Sequence, residues 1–357
     1  MNPARQMDVR NQGRNESCPA DGCVRKRTEK NRETRKKEQT GEQGRAMNTS
    51  LVLMSKLISM MIIGAVGYVT IRSGLLEERD GKQLARLSMY VLSPCLIIVA
   101  FQVDLTAEKI KGYLLALLFS TLAQGGFILV AALLRRIGLL GLVEELSIIY
   151  TNCGNLILPI VAMTLGEEMV FYGSAYQLTY NLLFWTHAAG KIEDSGRIDW
   201  KKVLLNPNIL AIMAGIFLLL TQIRIPGPAN TAMRMLSDMV GPTSMLVIGM
   251  TMAGSSLKKV LTFKKAYLVI FLRLIVLPLL AMGGLWISGF AARFPQYIQV
   301  LRISFLAIAA PPGANVVQLA VVYDKEPVKA GIYNLLGMLC CMFTIPLIDF
   351  IYCSVFL

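Results

Sequence analysis

Two apolar stretches about 150 residues apart carry the side chains best suited to holding a ligand. In 146–166 the run Thr151-Asn152-Cys153-Gly154-Asn155, followed by Pro159, interrupts a helical pattern. In 301–322 Pro311-Pro312-Gly313-Ala314-Asn315, followed by Gln318, does the same. Pro removes an N–H and blocks the preceding turn, Gly relaxes the backbone, and Asn tolerates unusual angles. In hydrocarbon an opened backbone group costs several kcal/mol unless protein, water or a ligand satisfies it. Two broken spans in matching halves therefore point to a transport site near the bilayer midplane. Each break presents the N-terminal end of a half-helix, worth about half a positive charge. Two such ends aimed at one spot favour a carboxylate without a charged side chain there.

Asn152, Gly154, Asn155, Asn315 and Gln318 are the candidate substrate contacts, and Pro159, Pro311, Pro312 and Gly313 shape the breaks. Asn152 and Asn155 have a second reading, as caps of the half-helices. Charges inside the apolar runs are few, and each is a candidate for function. Asp238 follows Arg234 by four residues, a spacing that suits a local ion pair, with proton coupling as the other reading. Arg273 and Arg302 lie near span ends, so they are expected to snorkel to the interface or to draw an anion towards the pore. Lys56 and Asp349 read as interfacial. Tyr180, Asn181, Tyr333 and Asn334 read as polar links between helices, each worth about 1 kcal/mol or less.

Catalysis finds no constellation. His187 is the single histidine, and there is no nucleophile elbow, phosphate loop or metal-binding His pair. Cys18 and Cys23 precede the apolar region, while Cys95, Cys153, Cys340, Cys341 and Cys353 lie in apolar runs without metal-site spacing. The chain is therefore expected not to be an enzyme and to need no cofactor or metal.

The elements that must position these residues are apolar runs. The chain is 54% hydrophobic and 17% charged, and almost all its charges fall between runs of the length that crosses about 30 Å of hydrocarbon. The runs predict ten transmembrane helices: 51–71, 84–101, 113–134, 146–165, 169–189, 207–223, 231–254, 266–290, 301–322 and 330–357. Residues 1–46, with twelve Lys or Arg against seven Asp or Glu and no apolar face, read as a disordered basic tail. Met47 is a plausible native start, and no nucleic-acid partner is expected.

An internal repeat organises the runs. Tyr180-Asn181-Leu182-Leu183 recurs as Tyr333-Asn334-Leu335-Leu336, and Leu87-Ser88 with Pro94 recurs as Leu236-Ser237 with Pro242. Five spans per copy is odd, so the second copy enters from the opposite side. The expected fold is an all-α integral membrane protein with two inverted five-helix repeats, 47–190 and 205–357, joined by a short cytoplasmic loop, 191–204. The fourth and ninth spans are its broken crossing helices. Loops after odd-numbered spans carry 16 Lys or Arg and the others four, which places the odd loops in the cytoplasm and both termini outside. The tail's basic residues oppose this count, but the rule is strongest for short loops.

The motifs resemble the auxin efflux carrier family in its compact bacterial form. The matching pieces are Pro94-Cys95-Leu96-Ile97, Asn152-Cys153-Gly154 with Leu158-Pro159-Ile160, Asn206-Pro207-Asn208-Ile209-Leu210-Ala211, Pro242 with Gly249, and Pro311, Asn315 and Ala320 through to Tyr323. Asn155 and Ile157 stand where the family usually has an aromatic and a glycine, so the substrate is expected to differ. The resemblance implies a secondary carrier in the cytoplasmic membrane, with a scaffold of spans one, two, six and seven, a moving domain of the others and a homodimer through the scaffold. The implied cargo is a small organic anion, with the membrane potential or a proton gradient as driving force. Two other classes stay open: a cation-coupled symporter or sodium–proton antiporter of similar architecture, and a non-transporting sensor.

Overall fold

Long apolar runs punctuated by Gly, Pro and charged loops become helices, and the order of the helices sets the site. The computed structural model describes residue 55 and residues 58–104, 107–158, 161, 165–193, 204–254 and 257–356. All of them belong to one compact unit, Asn48–Leu357. The helices that matter here are Ile58–Arg72 (α1), Arg79–Ala100 (α2), Ala107–Arg136 (α3), Leu142–Ile149 (α4), Glu167–Leu183 (α5) and Pro207–Thr221 (α6). Gly227–Asp238 (α7), Val240–Met252 (α8), Lys264–Ile287 (α9), Ile298–Ile308 (α10), Ala314–Val322 (α11) and Pro327–Phe356 (α12) complete the set. Among the described residues there is no strand. Pro159 and the tail, residues 1–46, lie outside the described residues, as does most of the loop 191–204.

Four of these helices, α2, α3, α9 and α12, are long and apolar enough to cross a membrane, and α1 and α6 are shorter apolar helices. Their outward faces carry large apolar side chains that no protein covers, such as Leu122 at 66% exposure, Leu129 at 72%, Leu220 at 73% and Phe343 at 77%. Apolar surface on this scale belongs against lipid.

Packing follows from small residues and caps. Asn206 caps α6 by accepting from the Asn208 N–H at 2.9 Å, ahead of Pro207 in the first turn. Asn208 reaches across to donate to the Met89 carbonyl at 2.9 Å, inside a π-turn, Ser88–Leu92, that widens α2. α6 and α7 pack on the second half of α2, and α8 on its first half. α5 lies against α3 and α10, while α11 is sandwiched by α12, α2 and α8.

Several charges sit differently from the expectation. Arg302 is tied to Asp349 by two hydrogen bonds, Nε to Oδ1 at 2.8 Å and Nη2 to Oδ2 at 2.7 Å, joining α10 to α12. An interfacial reading of either residue missed this cross-helix pair. Arg234 and Asp238 are both exposed on α7, and among the described residues no ion pair joins them. Glu144 and Glu145, at 1% and 0% exposure, open α4. Glu145 pairs with Arg135 at 2.8 Å and with Lys191, while Glu144 pairs with Lys265 at 3.3 Å and accepts from the Tyr333 hydroxyl at 2.8 Å. Carboxylates in a first helical turn also complement the positive end of the helix dipole. The start of α4 is thereby bound to α3, α9 and α12.

Close contact between α12 and the second break makes a stability prediction. A Cβ on Gly337 would fall 2.5 Å from Cδ of Pro312, whereas one on Gly283 meets nothing within 4 Å. Gly337→Ala is expected to cost about 1–3 kcal/mol by overpacking, read as a lower unfolding temperature in detergent. Gly283→Ala should leave that temperature unchanged.

Candidate functional site

Both breaks open because the backbone cannot continue. α4 ends at Tyr150, whose φ −98° and ψ 129° are extended. A π-turn, Cys153–Ile157, restarts the chain after Asn152. In the other segment α10 ends at Ile308, Pro311 and Pro312 supply no N–H, and α11 starts after Gly313. The two extended stretches meet as an antiparallel bridge between Thr151 and Pro312. Asn152 N–H donates to the Pro311 carbonyl at 2.8 Å, and Gly313 N–H to the Tyr150 carbonyl at 2.9 Å. The approach needs glycine at 313, where a Cβ would lie 3.0 Å from the Thr151 carbonyl oxygen.

Side chains satisfy the other freed carbonyls. Asn334 Nδ2, from α12, donates to the Pro312 carbonyl at 2.6 Å. Arg273, from a π-turn, Leu272–Val276, in α9, donates to the Ala310 carbonyl through Nε at 3.2 Å and to the Ile308 carbonyl through Nη2 at 2.6 Å. Its cation thus sits at the negative end of α10. Arg273 is 0% exposed and does not snorkel to an interface. Sequence position placed it near a span end, but the carbonyls of Ile308 and Ala310, left open where the helix breaks, hold it inside. The signal was present as a lone arginine in an apolar run, which marks a functional position by default.

The candidate residues divide between two neighbourhoods. Asn152 is 3% exposed, with its backbone in the bridge. Cys153 Sγ donates to Gln177 Oε1 at 3.1 Å, and Gln177 passes the link to Asn181 at 3.2 Å along α5. Gly154 also abuts Gln177, whose Oε1 would lie 2.9 Å from an added Cβ. Asn155 contributes its backbone to the π-turn. Asn315, half-buried in the first turn of α11, has the Tyr180 hydroxyl against its side chain. Gln318 turns the other way: its Nε2 donates to Ser88 Oγ at 2.8 Å and Ser244 Oγ at 3.1 Å, across the seam with α2 and α8. Asp238 closes α7, in neither neighbourhood. Tyr176, Gln177 and Arg273 were not among the expected contacts. Tyr176 and Gln177 are ordinary helix residues in sequence, and their place follows from α5 packing against the crossing.

Among the described residues no group of His, Cys, Asp and Glu is arranged to hold a metal ion. The arrangement offers hydrogen-bond donors, amides and helix ends, groups of the kind that can bind and orient a solute.

An apolar helical fold with two interrupted helices paired inside it is that of a multi-pass membrane protein. The family model described as membrane transport protein matches the chain twice, over residues 52–197 and 191–349, and the chain belongs to that family, the auxin efflux carrier family. It is a membrane transporter. A search among curated proteins returned no match.

The hydrogen bond to Pro312 predicts a stability effect. Asn334→Leu leaves that buried carbonyl unsatisfied and is expected to destabilise the fold by about 1–3 kcal/mol, measured by unfolding in detergent. Leu335→Met, on a half-buried neighbour of similar volume, should cost less than Asn334→Leu.

Proposed function

We propose that this transporter is a secondary active carrier that moves a small organic anion, a mono- or dicarboxylate of auxin-like or malate- and malonate-like size, across the cytoplasmic membrane. The observation that carries the reading is the antiparallel pairing of the two breaks, which sets Gly313, just before α11, against Tyr150 at the end of α4. N–H groups at a helix start are donors without intrahelical acceptors, and the dipole there favours negative charge. Asn152, Gly154, Asn155 and Asn315 line the anion's place, and Gln318 borders it from the seam with α2 and α8. Pro159, Pro311, Pro312 and Gly313 keep the breaks open.

The same reading divides the ten proposed spans into two inverted repeats. α1, α2, α6, α7 and α8 form a scaffold that also makes a homodimer, and the remaining helices move. Gln318 with Ser88 and Ser244, and Lys82 with Asp324, join the two parts in the present conformation. Those bonds must exchange as the moving part carries its load. A sodium–proton antiporter would need an ionisable acid free to titrate beside the crossing. Glu144 and Glu145 are already engaged with Lys265, Arg135 and Lys191 at the start of α4.

Asn152→Ala and Asn315→Ala are expected to fold and to lose flux of a labelled dicarboxylate in proteoliposomes by about tenfold or more. Unchanged flux in both removes these residues from the site. Asp238 is the candidate for proton coupling, and in that role Asp238→Asn flattens the pH dependence of flux. An unaltered pH profile ends the role.

A further inference from the structure

Arg273 spends two of its three guanidinium nitrogens on the carbonyls of Ile308 and Ala310. The third, Nη1, is buried and has no hydrogen-bond partner among the described residues. Among the described residues no carboxylate forms an ion pair with this side chain, and its guanidinium carbon lies 5.8 Å from the centre of the Phe127 ring. Around it stand Tyr176, Tyr180 and Cys153, with which it interacts electrostatically. Tyr176 Oη and Thr151 Oγ1, which face each other, are also buried without a partner of good geometry. Thr151 is the bridge residue itself.

Three buried donor groups, none with a well-aligned acceptor among the described residues, therefore lie together beside the break. A guanidinium can only donate, so its free N–H groups require an acceptor. A buried cation without a counter-charge is strongly unfavourable, and the two carbonyls at the end of α10 offset it only in part. The chemical species that completes the set is an anion with two forked oxygens, a carboxylate, the geometry that a guanidinium matches best.

We propose that Arg273 is the fixed positive charge of the ligand site, and that Thr151 and Tyr176 complete its hold on one carboxylate of the transported anion. This rests on the organic-anion reading above and assigns its charge recognition to a side chain as well as to the helix ends. Arg273 then has two duties. It satisfies the backbone of the second break and makes that break selective for anions over neutral solutes of the same size.

The test is ligand-induced thermal stabilisation of the purified full chain by malonate, acetate and a panel of other small carboxylates, fitted for apparent Kd. Wild type is compared with Arg273→Gln, which keeps hydrogen bonding but not charge, Arg273→Lys, which keeps charge but not the fork, and Tyr176→Phe. The expected result is an affinity loss of about ten- to a hundredfold in Arg273→Gln, the range for one fixed charge in a partly polar interior. Arg273→Lys should lose clearly less, and Tyr176→Phe a few-fold. A purely structural arginine would be harmed at least as much by Lys as by Gln, so equal losses overturn the proposal. Wild-type affinity in Arg273→Gln overturns the proposal alone. If no carboxylate stabilises wild type, the proposal and the organic-anion reading fall together. If Arg273→Gln does not fold, Tyr176→Phe decides, and wild-type affinity in it overturns the proposal.

Discussion

Inside a bilayer every backbone N–H and C=O must find a partner within the protein, and the two broken helices meet that demand largely through each other. Pro311 and Pro312 cannot donate, and Tyr150 and Asn152 leave the helix, so a lone break of either kind would strand polar groups in hydrocarbon. Paired antiparallel, the segments exchange Asn152 N–H for the Pro311 carbonyl and Gly313 N–H for the Tyr150 carbonyl. Asn334 and Arg273 accommodate three more carbonyls, on Pro312, Ala310 and Ile308. The crossing, and the packing of α5, α9 and α12 around it, follow from that one requirement.

The same accounting explains why the site has a direction of charge. The carbonyl end of α10 is covered by a guanidinium, while at the start of α11 the Gly313 N–H is held by the Tyr150 carbonyl and Asn315 has the Tyr180 hydroxyl beside it. The negative end of α10 is thus neutralised by the fold, and in the proposed function the positive helix ends are left to the cargo. Rigid elements hold this arrangement on one side: α4 is anchored through Glu144 and Glu145, and α10 through Arg302 and Asp349. On the other side, the named polar contacts with α2 and α8 are two serine hydroxyls and an exposed ion pair. Such bonds are each worth about 1 kcal/mol, weak enough to exchange in the movement proposed above.

Sequence made the breaks themselves legible, because Pro311-Pro312-Gly313 and Asn152 with Gly154 act through local backbone chemistry. Helix content and membrane class were legible too, from the lengths of apolar runs. What was hidden depends on partners far apart in the chain. No local pattern says that Thr151 meets Pro312, that Arg302 meets Asp349, or that Gln318 turns to Ser88 and Ser244. Arg273 was misplaced because its distance from a span end was weighed, and the carbonyls waiting 35 and 37 residues away were not visible. The span expected over 146–165 left Glu144 and Glu145 outside it, because their partners Arg135, Lys191, Lys265 and Tyr333 lie elsewhere in the chain.

The central claim is that two mutually paired breaks hold an anion at their junction, and a cryo-electron microscopy map of the protein in nanodiscs with malonate tests it most directly. The account predicts that both helices are interrupted at Thr151 and Pro312, with malonate density between the start of α11, the turn at Cys153 and Arg273. Continuous helices through either position, or malonate density confined to the outer surface, would contradict it.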